Sequence, residues 1–103
     1  MKLSVLERLV AQSLIPKEAD FTNLKLIRVA REKLSFDDAE QKTLNFRQES
    51  GQMVWNNGVP DQEIDLGETV TSMIVKELKR LDESNKLTMD HLGLYEKFIN
   101  DKG

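Results

Sequence analysis

Apolar residues recur along Ile64–Leu81 at intervals of three and four: Leu66, Val70, Met73, Ile74, Leu78 and Leu81. That spacing places them on one stripe of an α-helix, with Lys76, Lys79 and Arg80 largely outside it. A scaffold helix is therefore expected over 67–82, the most periodic stretch of the chain. Nearer the N-terminus, Ser4-Val5-Leu6-Glu7 has the form of a capping box and opens a helix over about 5–13, with Leu6, Leu9 and Val10 on one side. Pro16 disfavours helix at Ile15 and closes it. The linker Pro16–Asp20 is short, so the following helix should pack antiparallel to the first or steeply across it.

The second helix is expected over about 22–34, capped by Asp20 or Thr22. Leu24, Ile27, Ala30 or Arg31, and Leu34 mark its inward side, and Leu26 and Val29 broaden it. Lys25, Arg28, Arg31 and Lys33 occupy the rest, opposed only by Glu32. Ser35-Phe36-Asp37-Asp38 repeats the capping logic and predicts a short helix over about 36–43 with an acidic first turn, as the helix dipole favours.

The period then changes to two. Leu44–Glu49 alternates, and Gln52–Asn56 is β-branched and aromatic, so a hairpin is expected over 44–49/52–56. A two-residue Ser50-Gly51 loop sets Phe46 opposite Trp55, the favoured register; a three-residue loop would set Phe46 opposite Val54. Asn56–Asp61 is loop, and 62–66 alternates as a third strand would. Thr88 caps a last helix over about 89–100 with Leu92, Tyr95, Phe98 and Ile99 inward, and residues 101–103 should fray. The fold class is α+β: one domain, a small helical body of four main helices and one short one, with a β-hairpin or three-stranded antiparallel sheet.

Composition narrows the function classes. The 103 residues are 39% hydrophobic and 32% charged, enough for one core. Apolar runs stop at two or three residues, as in Met73-Ile74-Val75, too short for a membrane span or a secretory signal. Cysteine is absent, which removes disulfides, thiolate metal sites and cysteine nucleophiles. A cytoplasmic setting is expected. The net charge of −3 is uneven: residues 1–34 carry seven Lys/Arg against four Asp/Glu, and the remainder eight against fourteen. An anionic partner can thus be met locally while the whole-molecule field opposes nucleic acid.

Candidate chemistry is sparse. His91 is the only histidine and has neither an orienting partner nor a second imidazole at ligand spacing. Asp37, Asp38 and Glu40 lie where a helix's first turn favours acids in any case. Asp61, Glu63, Asp65 and Glu68 string along the third strand and the turn after it, without the spacing of a calcium loop. The five glycines are scattered, so no phosphate-binding loop forms, and no nucleophile motif surrounds the serines or threonines. A non-enzymatic protein with no metal and no cofactor is expected.

Three helices followed by a hairpin is the order of a winged-helix domain. The helix placed to read DNA would then be the acidic one, the wrong sign for phosphate. Trp55, Phe46, Met53 and Tyr95 are residue types that interfaces favour, but a core this small needs them more. The candidate interaction surface is therefore basic: Lys25, Arg28 and Arg31 on the second helix, with Arg47 on the hairpin.

The segments LSVLERLVAQSLIP, DFTNLKLIRVAREKLSF and KLTMDHLGLYEKFI resemble small accessory proteins encoded by phages and prophages of Gram-positive bacteria. The resemblance covers both ends of the chain, leaves the hairpin region unmatched and carries over no functional residue. It implies a bacterial cytoplasm and a host or virion protein as partner. The expected function is non-enzymatic protein–protein interaction; the alternative is a nucleic-acid-associated regulator with a winged-helix-like arrangement using the basic second helix.

Overall fold

The computed structural model describes residues 1–100. Along the chain run β1 (Lys2–Leu3), α1 (Val5–Leu14), α2 (Phe21–Leu34), α3 (Asp38–Leu44), β2 (Arg47–Glu49), β3 (Gln52–Val54), β4 (Gln62–Glu63), α4 (Gly67–Glu83) and α5 (Met89–Tyr95). α5 runs on into a π-helical turn, Glu96–Asn100. The fold is α+β, with helices dominating and two small antiparallel sheets beside them. The expected fraying of 101–103 lies outside the described residues.

α4 is the scaffold its periodicity predicts. Val70, Ile74 and Leu78 are buried along one stripe, with Leu66, Met73, Val75 and Leu81 packed at its margins. Against this stripe close Ala11 and Leu14 of α1, Ile27, Ala30 and Leu34 of α2, Leu94 of α5, and Phe98. Ala11 and Ala30, which present only a methyl group each, are both buried in this core.

α1 turns a different face inward from the one its leucines suggest. Ser4 and Glu7 do form the capping box, Ser4 N donating to Glu7 Oε1 (2.9 Å) and Glu7 N to Ser4 Oγ (3.2 Å). Val5, Glu7, Arg8, Ala11 and Leu14 are buried, whereas Leu6 looks outward into a cleft beside Trp55 and Val59. Two charged side chains go inside because each finds a full set of partners. None of the described buried side-chain nitrogen or oxygen atoms lacks a hydrogen bond.

α3 starts two residues later than the sequence suggests. Asp37 is the N-cap, and Glu40 completes its box: Glu40 N donates to Asp37 Oδ1 (2.7 Å) and Asp37 N to Glu40 Oε1 (3.1 Å). Phe36 is thereby left outside the helix. Leu44, assigned to the hairpin from sequence, is instead the last residue of α3 and is buried. Asn45 ends the helix in the left-handed conformation (φ 47°). The hairpin is consequently shorter, and its register is the two-residue one, Glu49 opposite Gln52 and Arg47 opposite Val54. Ser50 and Gly51 both take positive φ (52° and 80°), the requirement of a type I′ turn. Phe46 meets Trp55 edge-on, ring centroids 5.9 Å apart.

The third strand exists but does not join the hairpin. β4 pairs antiparallel with β1, Lys2 opposite Glu63 and Leu3 opposite Gln62, and Ile64 N donates to Met1 O (2.9 Å). This pairing carries Leu3 and Ile64 into the core.

At the other end of the chain the α-helix expected through residue 100 changes to π geometry after Tyr95. Leu94 is fully buried, whereas Leu92, expected inward, is 47% exposed. Gly93 lies against Glu7 of α1: a Cβ there would stand 2.7 Å from Glu7 Oε2, so a larger residue would push that carboxylate from its place. Lys97, on the π turn, then donates to Glu7 Oε1 (2.7 Å) and Lys2 O (2.7 Å), tying the last element to the first.

Candidate functional site

α2 supplies most of the surface chemistry. Asp20 is its N-cap residue and Ser35 its C-cap, and its inward positions Ile27, Ala30 and Leu34 fall three and four apart. Leu24, Leu26 and Val29, read from sequence as inward or broadening the inward side, are exposed, and Phe21 at the helix start is 75% exposed. The reason is geometric. α2 touches only α1 and α4 among the elements, so a narrow stripe suffices to bury it and the rest of its circumference faces out.

The four basic residues expected to act together divide into two pairs. Lys25 stands over the Phe21 ring (5.0 Å to the centroid), and Arg28 borders a shallow groove with Pro16, Leu24 and Ile27; neither forms an ion pair among the described residues. Arg31 is half-buried and donates to Gln12 O and Ile15 O (3.3 Å each), closing the open carbonyl end of α1. Arg47 is turned onto its own hairpin, donating to Asn45 O (2.8 Å), Asn56 Oδ1 (3.2 Å) and Glu49 Oε2 (3.3 Å). Neither β2 nor β3 packs against α2, so Arg47 does not extend the α2 surface.

The most highly organised polar cluster is one the sequence does not advertise. Arg8 is 3% exposed and spends its guanidinium across two helix ends. Nε donates to Leu34 O (3.3 Å), Nη1 to Glu40 Oε2 (2.8 Å), and Nη2 to Glu40 Oε1 (3.2 Å) and Ser35 O. Gln12 Nε2 adds a second donor to Leu34 O (3.2 Å). The guanidinium also lies 4.0 Å over the Phe36 ring, which meets Phe46 edge-on at 5.4 Å. One side chain thus fastens the end of α2, the start of α3 and, through two aromatic rings, the hairpin. A buried arginine whose three nitrogens are all engaged in this way is a structural clamp rather than a reactive group.

Of the acidic residues, Asp37 and Glu40 are committed to the α3 cap and to Arg8. His91 accepts a hydrogen bond at Nδ1 from Thr88 N (2.9 Å), a capping role at the start of α5. Among the described residues no three His, Asp or Glu side chains converge as a metal would require.

Arg8's hydrogen bonds hold the Glu40 carboxyl below its ordinary value of 4.5, against the opposing effect of desolvation. For Glu7 burial acts upward, but Lys97 and the Ser4 hydrogen bonds together outweigh it, and its pKa too is lowered. A carboxyl with a depressed folded-state pKa stabilises above the unfolded value, and that contribution disappears as pH falls through the folded one. The thermal midpoint should therefore drop through the acid range. Glu40→Gln, less stable at neutral pH, should show a shallower drop, read by circular dichroism melts at a series of pH values. Parallel curves would mean that Glu40 carries no linked proton.

Compared with known proteins, the chain matches no family model, no curated protein and no solved structure.

Proposed function

We propose that this protein is a non-enzymatic protein–protein interaction domain of phage or prophage type, acting in a bacterial cytoplasm on a host or virion protein. The observation that carries the reading is the outer face of α2. Nine large hydrophobic side chains are exposed among the described residues, and four of them, Phe21, Leu24, Leu26 and Val29, sit on this one helix. Scattered single apolar residues are ordinary on a surface. Phe21, Leu26 and Val29, however, fall within about 140° of one another around the side of α2 turned away from α1 and α4, whereas Leu24 lies on the other flank beside Ile27. Such a set supports an interaction face. The ionisable side chains nearest to chemistry (Arg8, Glu40, Glu7, Lys97) are spent on holding helices together, which supports a binding role over a catalytic one.

The alternative, a nucleic-acid-associated regulator using α2, is less well supported. Of its four cations, Arg31 and Arg47 are bonded to their own chain, which leaves Lys25 and Arg28 among apolar neighbours. Two phosphate contacts on duplex DNA would give a salt slope of roughly −2.

Pull-down from Gram-positive bacterial lysate, with and without nuclease, tests the proposal. Partners should survive nuclease and be lost with Leu26→Asp/Val29→Asp, or with the milder Leu26→Ser/Val29→Ser if the first pair disturbs folding. Capture that vanishes on nuclease treatment, or that is indifferent to both pairs, would count against it.

No helix among the described residues is long and apolar enough to cross a membrane.

A further inference from the structure

Two grooves meet at the linker between α1 and α2. The first, of about 470 Å³, lies between the linker and α2, floored by Leu24 and Ile27. The second, of about 540 Å³, lies between the linker and α4, floored by Leu14, Ile15 and Met73. Pro16 and Lys17 line both, so the two grooves adjoin at the proline and are treated together as the depression around it. Its charged rim has one sign. Lys17, Arg28 and Arg31 border one side and Lys17, Lys76 and Arg80 the other, with Glu77 the only acid. Glu77 is already taken by Arg80 (2.6 Å), while Lys17, Arg28 and Lys76 have no ion-pair partner among the described residues. On a chain of net charge −3 this is a local reversal of sign over an apolar floor.

From the apolar floor and the cationic rim we infer that the depression around Pro16 is a docking groove for an acidic amphipathic segment of a partner protein, with apolar anchors on the floor and Asp or Glu side chains against the rim. The inference rests on the interaction reading above and assigns it a second surface, distinct from Leu26 and Val29. Other anionic partners fit less well. A bilayer is engaged by apolar groups that protrude, whereas Leu14, Ile15 and Ile27 are buried at the bottom of the grooves. Single-stranded nucleic acid is held by aromatic stacking, and the grooves have no aromatic lining. Duplex DNA is held by cations tracking a phosphate backbone and has no use for an apolar floor such as Leu14, Ile15 and Met73 provide. Complementary charge at such a rim sets partner choice and association rate, while the floor supplies the affinity.

Fluorescence anisotropy on the full chain tests this with a labelled amphipathic peptide carrying leucines at helical spacing and glutamate between them. Controls are a scrambled peptide of the same composition and one with lysine for glutamate. Saturable binding of the first peptide alone is expected, weakened about tenfold by Lys17→Glu/Lys76→Glu, two exposed changes that should leave the fold intact. No saturable binding, or equal binding of the scrambled peptide, overturns the inference. So does tighter binding of duplex DNA that displaces the peptide, or self-association in sedimentation that the same variant abolishes, since a second copy would then be the occupant. If the peptide fails while Leu26- and Val29-dependent capture persists, the groove falls and the interaction domain stands. If capture fails while the peptide binds, the outer face of α2 falls instead.

Discussion

Arg8→Ala should destabilise the protein by about 3–5 kcal/mol, the usual cost of breaking a buried ion pair from one side. The loss comes less from the missing attraction than from what is stranded. Glu40 keeps its charge at a site only 16% accessible, and the Leu34 and Ser35 carbonyls lose guanidinium donors. Gln12 still serves Leu34 O, so the end of α2 is weakened rather than undone. Arg8→Lys should recover little, because one ammonium cannot span Leu34, Ser35 and both Glu40 oxygens. Removing both charges as Arg8→Met/Glu40→Leu should be milder than Arg8→Ala, since no orphaned carboxylate remains. A urea-denaturation double-mutant cycle measures this coupling. If Arg8→Ala cost under about 1 kcal/mol, the range of an exposed pair, the clamp would have been misread.

Ile74→Ala should cost about 2–5 kcal/mol, as large buried aliphatics cut to alanine do. Ile74 is 0% exposed at the middle of the α4 stripe, where α1, α2, α5 and the π turn all close on that helix. Met73, one position round and only partly buried, is flexible enough for its neighbours to adjust, so Met73→Ala should cost less. A domain of this size has a total stability of about 5–15 kcal/mol, so the Ile74 change is a large fraction of it. At about 4–8 °C per kcal/mol, its thermal midpoint should fall by on the order of 10 °C or more. A shift of only a degree or two would remove α4 from the centre of the core.

Local signals in this chain were readable and distant ones were not. α4 could be traced because six apolar residues keep helical spacing, and the hairpin register because Ser50-Gly51 suits a two-residue turn. β1 is two residues long and exists only through its pairing with β4, so no period announces it. Of the α1 side that hydrophobicity marks, Leu6, Leu9 and Val10, only Val10 packs at the margin of the core, and Leu6 is exposed. Burial there follows instead the small Ala11 and the partners that Glu7 and Arg8 find in Lys97, Leu34 and Glu40, each 26 or more residues away along the chain. The basic residues of the candidate surface were visible as charges. What a sequence does not show is which carbonyls Arg31 and Arg47 would find, or that Pro16 would join two grooves.

The tie between Lys97 and the first helix bears on how the chain is made. α1 packs against β1, α2, α4 and α5, and the residue that bonds both Lys2 and Glu7 is within a few positions of the last one described. During synthesis at roughly 5–20 residues per second, the first helix emerges about 4–16 s before α5 is available to cover it. Through that interval the face of α1 that α5 will cover is open to water or a chaperone, with Glu7 still unpaired by its lysine.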